Sequence, residues 1–308
     1  MDKEKFDISL SFDKATYLDP QLIMFTNSIK DKVSDDVVFH IQTNRFENNH
    51  VIKYMSDNLN VKLYHKEPFT DMKSRCQYMF HCFEVETDKP WIIKMESDHI
   101  FLRPITLFNE ILDDKLDLVL EPENRKIFPD NIERRLWNRI YRELKIPVPE
   151  EKITFRENLE EGLPLFGTGI VCVKTDLLDK INERWIPMTK TCEKWINYNI
   201  HPNEFAITAM IFDEGWKWKI YPPKYKFNPI GHFRKGKFPS TYLIEECLLP
   251  EDTIVFDYHR PHWLMHVAKR NPEIMKVIKK SARYIPDDWW GLQSKDFMEV
   301  YNDSQEIS

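Results

Sequence analysis

The run Trp91-Ile92-Ile93-Lys94-Met95 ends in two carboxylates with one residue between them, Glu96-Ser97-Asp98. Charge delivered to the end of a buried strand is costly unless a cation or a donor compensates it. Hard carboxylate oxygens suit Mg²⁺ or Mn²⁺, ions that keep waters and bridge to phosphate oxygens. The spacing alone carries little, because with 50 acidic residues in 308 roughly eight acid-x-acid triplets arise by chance. The apolar strand before the triplet and the loop Leu102-Arg103-Pro104 after it make this one more specific. The competing reading is an acidic cluster that caps the loop.

A series of strands and helices must position the triplet. Asp7–Phe12, Val37–Ile41, Val61–Tyr64 and Trp91–Met95 read as strands. Between them, Pro20–Ile29, Asn48–Asn58 and Asp71–Val85 carry helical spacing. Strand–helix units of this length predict an α/β fold, a mostly parallel sheet with helices on both faces, whose ligand crevice lies at the carboxyl ends of the strands. Further strands are expected at Leu116–Leu120, Leu165–Val173 and Thr253–Phe256. Helices are expected after a short one reaching Leu112, at Asn131–Leu144, from Thr175 and at Pro202–Phe212. Residues 121–164 read as a charged insertion over the core, 1–300 as a single domain, and 301–308 as a polar tail. Lys94 is expected to face away from the crevice and to have no part in the chemistry.

Composition narrows the class. The chain is 42% hydrophobic and 13% aromatic, with a net charge of -6. That is enough to build a core, and it offers no excess of positive charge for a nucleic acid or an anionic membrane. No apolar run approaches a membrane span, and the first residues lack a signal-peptide core. Five scattered cysteines without a C-x-x-C pair read as buried thiols, with the cytoplasm as the expected address.

The segment from Trp91 through Glu96-Ser97-Asp98-His99-Ile100-Phe101-Leu102-Arg103 to Pro104 resembles the D-x-D region of GT-A-fold glycosyltransferases, with Glu in place of the first Asp. Three other segments resemble the family in the same order. Phe166-Gly167-Thr168-Gly169-Ile170-Val171 is similar to the small-residue strand that lines the sugar pocket, where glycine lets backbone approach a ligand; a β-bulge is the alternative. His201-Pro202-Asn203-Glu204 is similar to the acidic helix start near the acceptor, although a carboxylate there also suits the helix dipole. Tyr258-His259-Arg260-Pro261-His262 is similar to the segment that supplies a late histidine to the metal, with His262 competing with His259.

The resemblance implies a transferase that moves a sugar from a nucleotide diphosphate sugar to a glycan, lipid or protein acceptor, with Mn²⁺ or Mg²⁺ as cofactor. Glu96, Asp98 and His259 become the implied metal ligands, and Glu204 the implied acceptor contact or base beside Asp98. Phe12 and Asp13 at the end of the first strand, Lys73 and Arg75, and Gly167 and Gly169 become the implied donor contacts. Asn228 and His232 are weaker candidates for the acceptor border, and Trp289-Trp290 reads as packing. Two rivals remain. A sugar-phosphate nucleotidyltransferase would want a Gly-rich phosphate loop after the first strand, which is not seen. A non-catalytic sugar- or nucleotide-binding protein of the same fold is kept open by Glu96.

Overall fold

The computed structural model describes residues 4–72, 78–123, 130–155, 160–196, 202–228, 249–258, 261–286 and 289. The first half runs β1 (Phe6–Ser11), α1 (Asp19–Ile29), β2 (Phe39–Thr43), α2 (His50–Ser56), β3 (Val61–His65), β4 (Trp91–Met95) and β5 (His99–Phe101). The second runs β6 (Leu118–Pro122), α3 (Asp130–Leu144), β7 (Ile153–Thr154), β8 (Glu161–Gly162), β9 (Phe166–Lys174), α4 (Leu178–Cys192), α5 (Pro202–Glu214), β10 (Trp218–Ile220), β11 (Val255–Asp257), α6 (Pro261–Ala268) and α7 (Pro272–Ser281). Seven strands form one sheet in the order β10-β6-β9-β4-β1-β2-β3. Its pairings are parallel except where β9 runs antiparallel to β4 and β6. The expected mostly parallel α/β sheet is therefore present.

From β1 the chain builds outward through β2 and β3, then returns to place β4 on the other side of β1. That reversal opens a crevice at the carboxyl ends of β1 and β4. Both sheet faces are covered, which is why the central strands read as apolar runs. On one face Ile8, Leu10, Ile93 and Met95 pack with Leu22 and Ile23 of α1 and Val51 and Met55 of α2. On the other, Ile92 and Val171 pack with Ile181 and Trp185 of α4 and Phe205 and Ala209 of α5. Trp137 and Tyr141 of α3 join this second core, and the Trp137 and Phe205 rings lie 4.5 Å apart. Much of the expected insertion thus braces the helix that carries Glu204. Its first expected residue, Glu121, belongs instead to β6, within the main sheet.

A second, two-stranded sheet pairs β11 antiparallel with β5, Asp257 opposite His99 and Phe256 opposite Ile100. Leu264, Ile274 and Ile278 of α6 and α7 cover it together with Met24. Neither β5 nor β10, three residues each, is long enough to show a period, and neither was expected. The helix expected over Asp71–Val85 is not seen where that stretch is described. Met79–Phe83 is a 3₁₀ turn with all five residues buried. Side chains claim two carbonyls there: Ser9 Oγ donates to Cys82 O at 2.5 Å, and Asn182 Nδ2 donates to Phe83 O at 2.8 Å. Cys82, Cys172 and Cys192 are free and buried, and burial pushes their thiols up. No helix among the described residues is long and apolar enough to cross a membrane.

Candidate active site

β4 points Glu96-Ser97-Asp98 into the crevice, and the turn into β5 keeps the three side chains close to neighbouring elements. Ser97 Oγ donates to Gln21 Oε1 of α1 at 3.0 Å, and Tyr258 N donates to Asp98 O at 3.2 Å. One ligand atom each from Glu96, Asp98 and His99 lies within 4.8 Å of the others. Asp98 Oδ1 and His99 Nε2 are buried without a hydrogen-bond partner, while the Glu96 N–H faces His99 Nδ1 at 3.4 Å. Desolvation, Asp257 and Glu96 push the Asp98 carboxyl well up. Burial holds the His99 imidazole down at about 4, which keeps it neutral near pH 7. Desolvation would also raise Glu96, but Lys94, Lys226 and His99 outweigh it and hold that carboxyl at about 2. An orphaned buried carboxyl oxygen beside two further acids fits a hard divalent ion, and His99 joins it as a ligand only in the tautomer that frees Nε2.

Lys94 does not face away as expected. Its Nζ is 2.8 Å from Glu96 Oε1 and also donates to Thr168 O. Residues two apart on a strand share a face, which was the available signal. Thr168 Oγ1 in turn accepts from Asn203 Nδ2 at 3.2 Å, so α5 is tied to the triplet through Lys94. Next to Asn203, Glu204 is 6% exposed with Oε2 unpartnered. Burial, Glu123, Glu96 and Glu121 push its carboxyl well up, which favours the protonated form.

On the far side of β9, Lys226 Nζ lies 2.6 Å from Glu121 Oε1 and 3.0 Å from Asp257 Oδ2, with all three side chains buried. Gly167 and Gly169 make this possible. A Cβ on Gly167 would sit 3.1 Å from Glu121 Cγ, and one on Gly169 would overlap the Lys226 ammonium. The β6–β9 register also shifts between Val119 and Glu121, so the irregularity weighed as an alternative for this segment is present. Asn228 Nδ2 donates to Asp257 Oδ2 at 2.7 Å, which joins that residue to the cluster. Glu121, Lys226 and Asp257 were missed by sequence reasoning. Glu121 and Asp257 carried a signal, since they follow Leu118-Val119-Leu120 and Ile254-Val255-Phe256 as Glu96 follows its own apolar strand; Lys226 carried none.

At the other end of the crevice, Phe12 and Asp13 leave β1 beside an unexpected residue, Arg45. Its side chain is buried and donates to Asp13 O (3.0 Å), Ala15 O (2.7 Å) and Asp19 Oδ1 (2.6 Å), with the guanidinium 5.5 Å above the Phe12 ring. Asp13 Oδ1 accepts from Ala15 N at 2.7 Å. The orphaned atoms here are uncharged: Ser11 Oγ and Asn44 Oδ1. Trp289 is buried and donates to Tyr17 O at 2.9 Å, as packing requires. Lys73, Arg75, His232, His259 and Trp290 lie outside the described residues, as does the side chain of His262.

No family model matches the chain, and no curated protein is similar to it in sequence. Solved structures are similar in fold. Galactosyltransferase LgtC, in complex with donor and acceptor sugar analogs, superposes with a TM-score of 0.58 at 12% identity over 92% of this chain and 99% of that one. The glycosyltransferase GlyE of Streptococcus pneumoniae TIGR4 gives 0.54 at 12% identity, covering 91% and 65% of the two chains. The bifunctional glycosyltransferase WbbM gives 0.52 at 11% identity, covering 91% and 52%. The chain has the GT-A-type, Rossmann-like fold of these proteins.

Proposed function

We propose that this protein is a metal-dependent glycosyltransferase that moves a sugar from a nucleotide diphosphate sugar to a glycan, lipid or protein acceptor. The observation that carries the reading is Asp98 Oδ1, a buried carboxylate oxygen without a partner. It lies in the crevice of a fold shared with a galactosyltransferase that binds donor and acceptor sugar analogs. Glu96, Asp98 and the late His259 are assigned to hold Mn²⁺ or Mg²⁺, with His99 also within reach among the described residues. The ion, when bound, neutralises the diphosphate as the bond to the sugar breaks. Residues 1–300 are read as the single domain that does this and the cytoplasm as its address, a reading supported by the free thiols of Cys82, Cys172 and Cys192.

The chain's own groups divide the remaining work. Asp98 carries the negative charge that the cation answers, and Lys94 fixes Glu96 and ties it to Thr168. Phe12, Asp13, Lys73 and Arg75 are assigned to the nucleotide, beside uncharged orphans at Ser11 and Asn44. A ligand with an uncharged, hydroxyl-rich end and an anionic, metal-holding end matches that division, and a nucleotide diphosphate has both. Gly167 and Gly169 border the sugar, with Glu121 directly behind them. Glu204 meets the acceptor; while it keeps its proton it donates a hydrogen bond, and it serves as a base only once that carboxyl is lowered.

A second reading, a sugar- or nucleotide-binding protein without turnover, is favoured by one observation: Lys94 already occupies an oxygen of Glu96. Both readings meet the same experiment. Nucleotide diphosphates and nucleotide sugars are screened by thermal shift with Mn²⁺ or EDTA, then assayed for donor hydrolysis. A ligand at 100 times its dissociation constant should add about 2.7 kcal/mol of stability, and only with the cation. Equal stabilisation in EDTA overturns the metal bridge, and binding without hydrolysis or transfer selects the second reading.

A further inference from the structure

The acidic cluster already contains a cation supplied by the chain. Lys226 follows a 3₁₀ turn (Pro223–Tyr225) after β10 and is 5% exposed. Its ammonium joins Glu121 of the main sheet to Asp257 of the small one at 2.6 and 3.0 Å. The strand opposite makes room for it, because any side chain at Gly169 would collide with the ammonium. Its charge also acts on Glu96, Asp98, His99 and Glu204. Buried charge is tolerated only where opposite charge surrounds it. Among the described residues, six carboxyl groups (Glu96, Asp98, Glu121, Glu123, Glu204 and Asp257) stand against two ammonium groups, Lys94 and Lys226.

The geometry points to Lys226 as a positioning residue that sets the affinity of the site for its divalent cation. The ammonium supplies part of the positive charge the carboxylates require. The cluster would then hold a bare ion weakly, so that Glu96 and Asp98 would keep the ion only together with a diphosphate, and metal affinity would be coupled to donor binding. This rests on the metal-dependent reading proposed above. It predicts that removing the lysine charge tightens metal binding, whereas a lysine that merely held the two sheets together would loosen it when removed.

The test uses Mn²⁺ alone, titrated into the full chain with free Mn²⁺ followed by electron paramagnetic resonance. Wild type is compared with Lys226→Gln and with the double variant Glu121→Gln/Lys226→Gln. The single variant should bind Mn²⁺ at least about tenfold more tightly, as expected for one positive charge lost from the cluster. The double variant removes one positive and one negative charge together and should return to within about threefold of wild type. Unchanged or weaker binding by Lys226→Gln overturns the inference. Should that variant fail to fold, the double variant decides: near-wild-type affinity supports the charge account, and lost Mn²⁺ binding overturns it. If wild type binds no Mn²⁺ but Lys226→Gln does, the inference stands, because the lysine is what repels the bare ion. If neither binds it, the inference falls, and the metal-dependent reading is then decided by the thermal-shift screen with nucleotide and Mn²⁺ together.

Discussion

The two ends of the crevice hold charge in different ways. At the β1 and β2 exits, Arg45 donates to three partners among the described residues, and the carboxylate among them, Asp19, is paired at 2.6 Å. Where β4 ends and β5 begins, Asp98 and His99 keep buried atoms without partners, and Asp98 is pressed by two further acids. Both ends sit on the same sheet edge and both are rich in charge. The first has its charges answered and leaves only the uncharged Ser11 Oγ and Asn44 Oδ1 without partners, so its charges hold the loop between β1 and α1 in shape. The second is incomplete, and a ligand is the simplest thing that completes it. Charge near a crevice therefore says less about function than whether the fold has already answered it.

Substitutions should separate the two ends. The largest effect is expected for Asp98→Asn, with transfer falling about 10³-fold. Asparagine resembles the protonated carboxyl that the fold favours, so the melting temperature at pH 7 should stay level or rise. An assay within threefold of wild type would remove Asp98 from the chemistry. Arg45→Met should do the reverse. Breaking a buried pair and two carbonyl contacts should lower stability by about 3 kcal/mol or more. Turnover of the folded fraction should stay within a fewfold, measured by urea unfolding beside kinetics. A large fall in turnover at unchanged stability would merge the two ends.

Acid should expose the incomplete end with a somewhat smaller effect. His99 is held at about 4 against an ordinary 6.5, so between those values the unfolded chain binds a proton that the native protein refuses. Stability from this group is intact above about pH 6.5 and is lost as pH falls toward 4. The total is about 3 kcal/mol, and His99→Gln should flatten the slope by one proton. Asp98 and Glu204 are raised rather than lowered. Their ionisation opposes folding as pH rises through their raised values, and Mn²⁺ should relieve that for Asp98. Unfolding free energies at pH 7, 5.5 and 4 would check the sign. A wild-type profile whose slope between pH 6.5 and 4 is unchanged in His99→Gln would contradict the buried neutral imidazole.

Several elements were legible because their signals are local. Apolar strands at Trp91–Met95 and Leu165–Val173 emerged close to their expected bounds, as β4 and β9. The helix carrying Glu204 began at Pro202 as expected. The triplet at the carboxyl end of β4 follows from the same apolar pattern. Some boundaries moved by two residues. β2 spans Phe39–Thr43, not 37–41, and α2 starts at His50 because Asn49 Oδ1 accepts from the Val51 and Ile52 N–H groups. The 3₁₀ turn at Met79–Phe83 replaced part of an expected helix because distant side chains, Ser9 and Asn182, took its carbonyls.

What the sequence determined by itself was the alternation of strands and helices and the delivery of Glu96 and Asp98 to a strand end, since periodicity and an apolar run need only neighbouring residues. What only the tertiary structure decided was which charges meet. Lys226 reaches Glu121 across 105 positions and Asp257 across the boundary between two sheets, and nothing local in Tyr225-Lys226-Phe227 marks it. Arg45 finds Asp13, Ala15 and Asp19 only because β2 lies parallel to β1. Electrostatic interactions depend on distance through space and on burial, and both are fixed by strand order and packing.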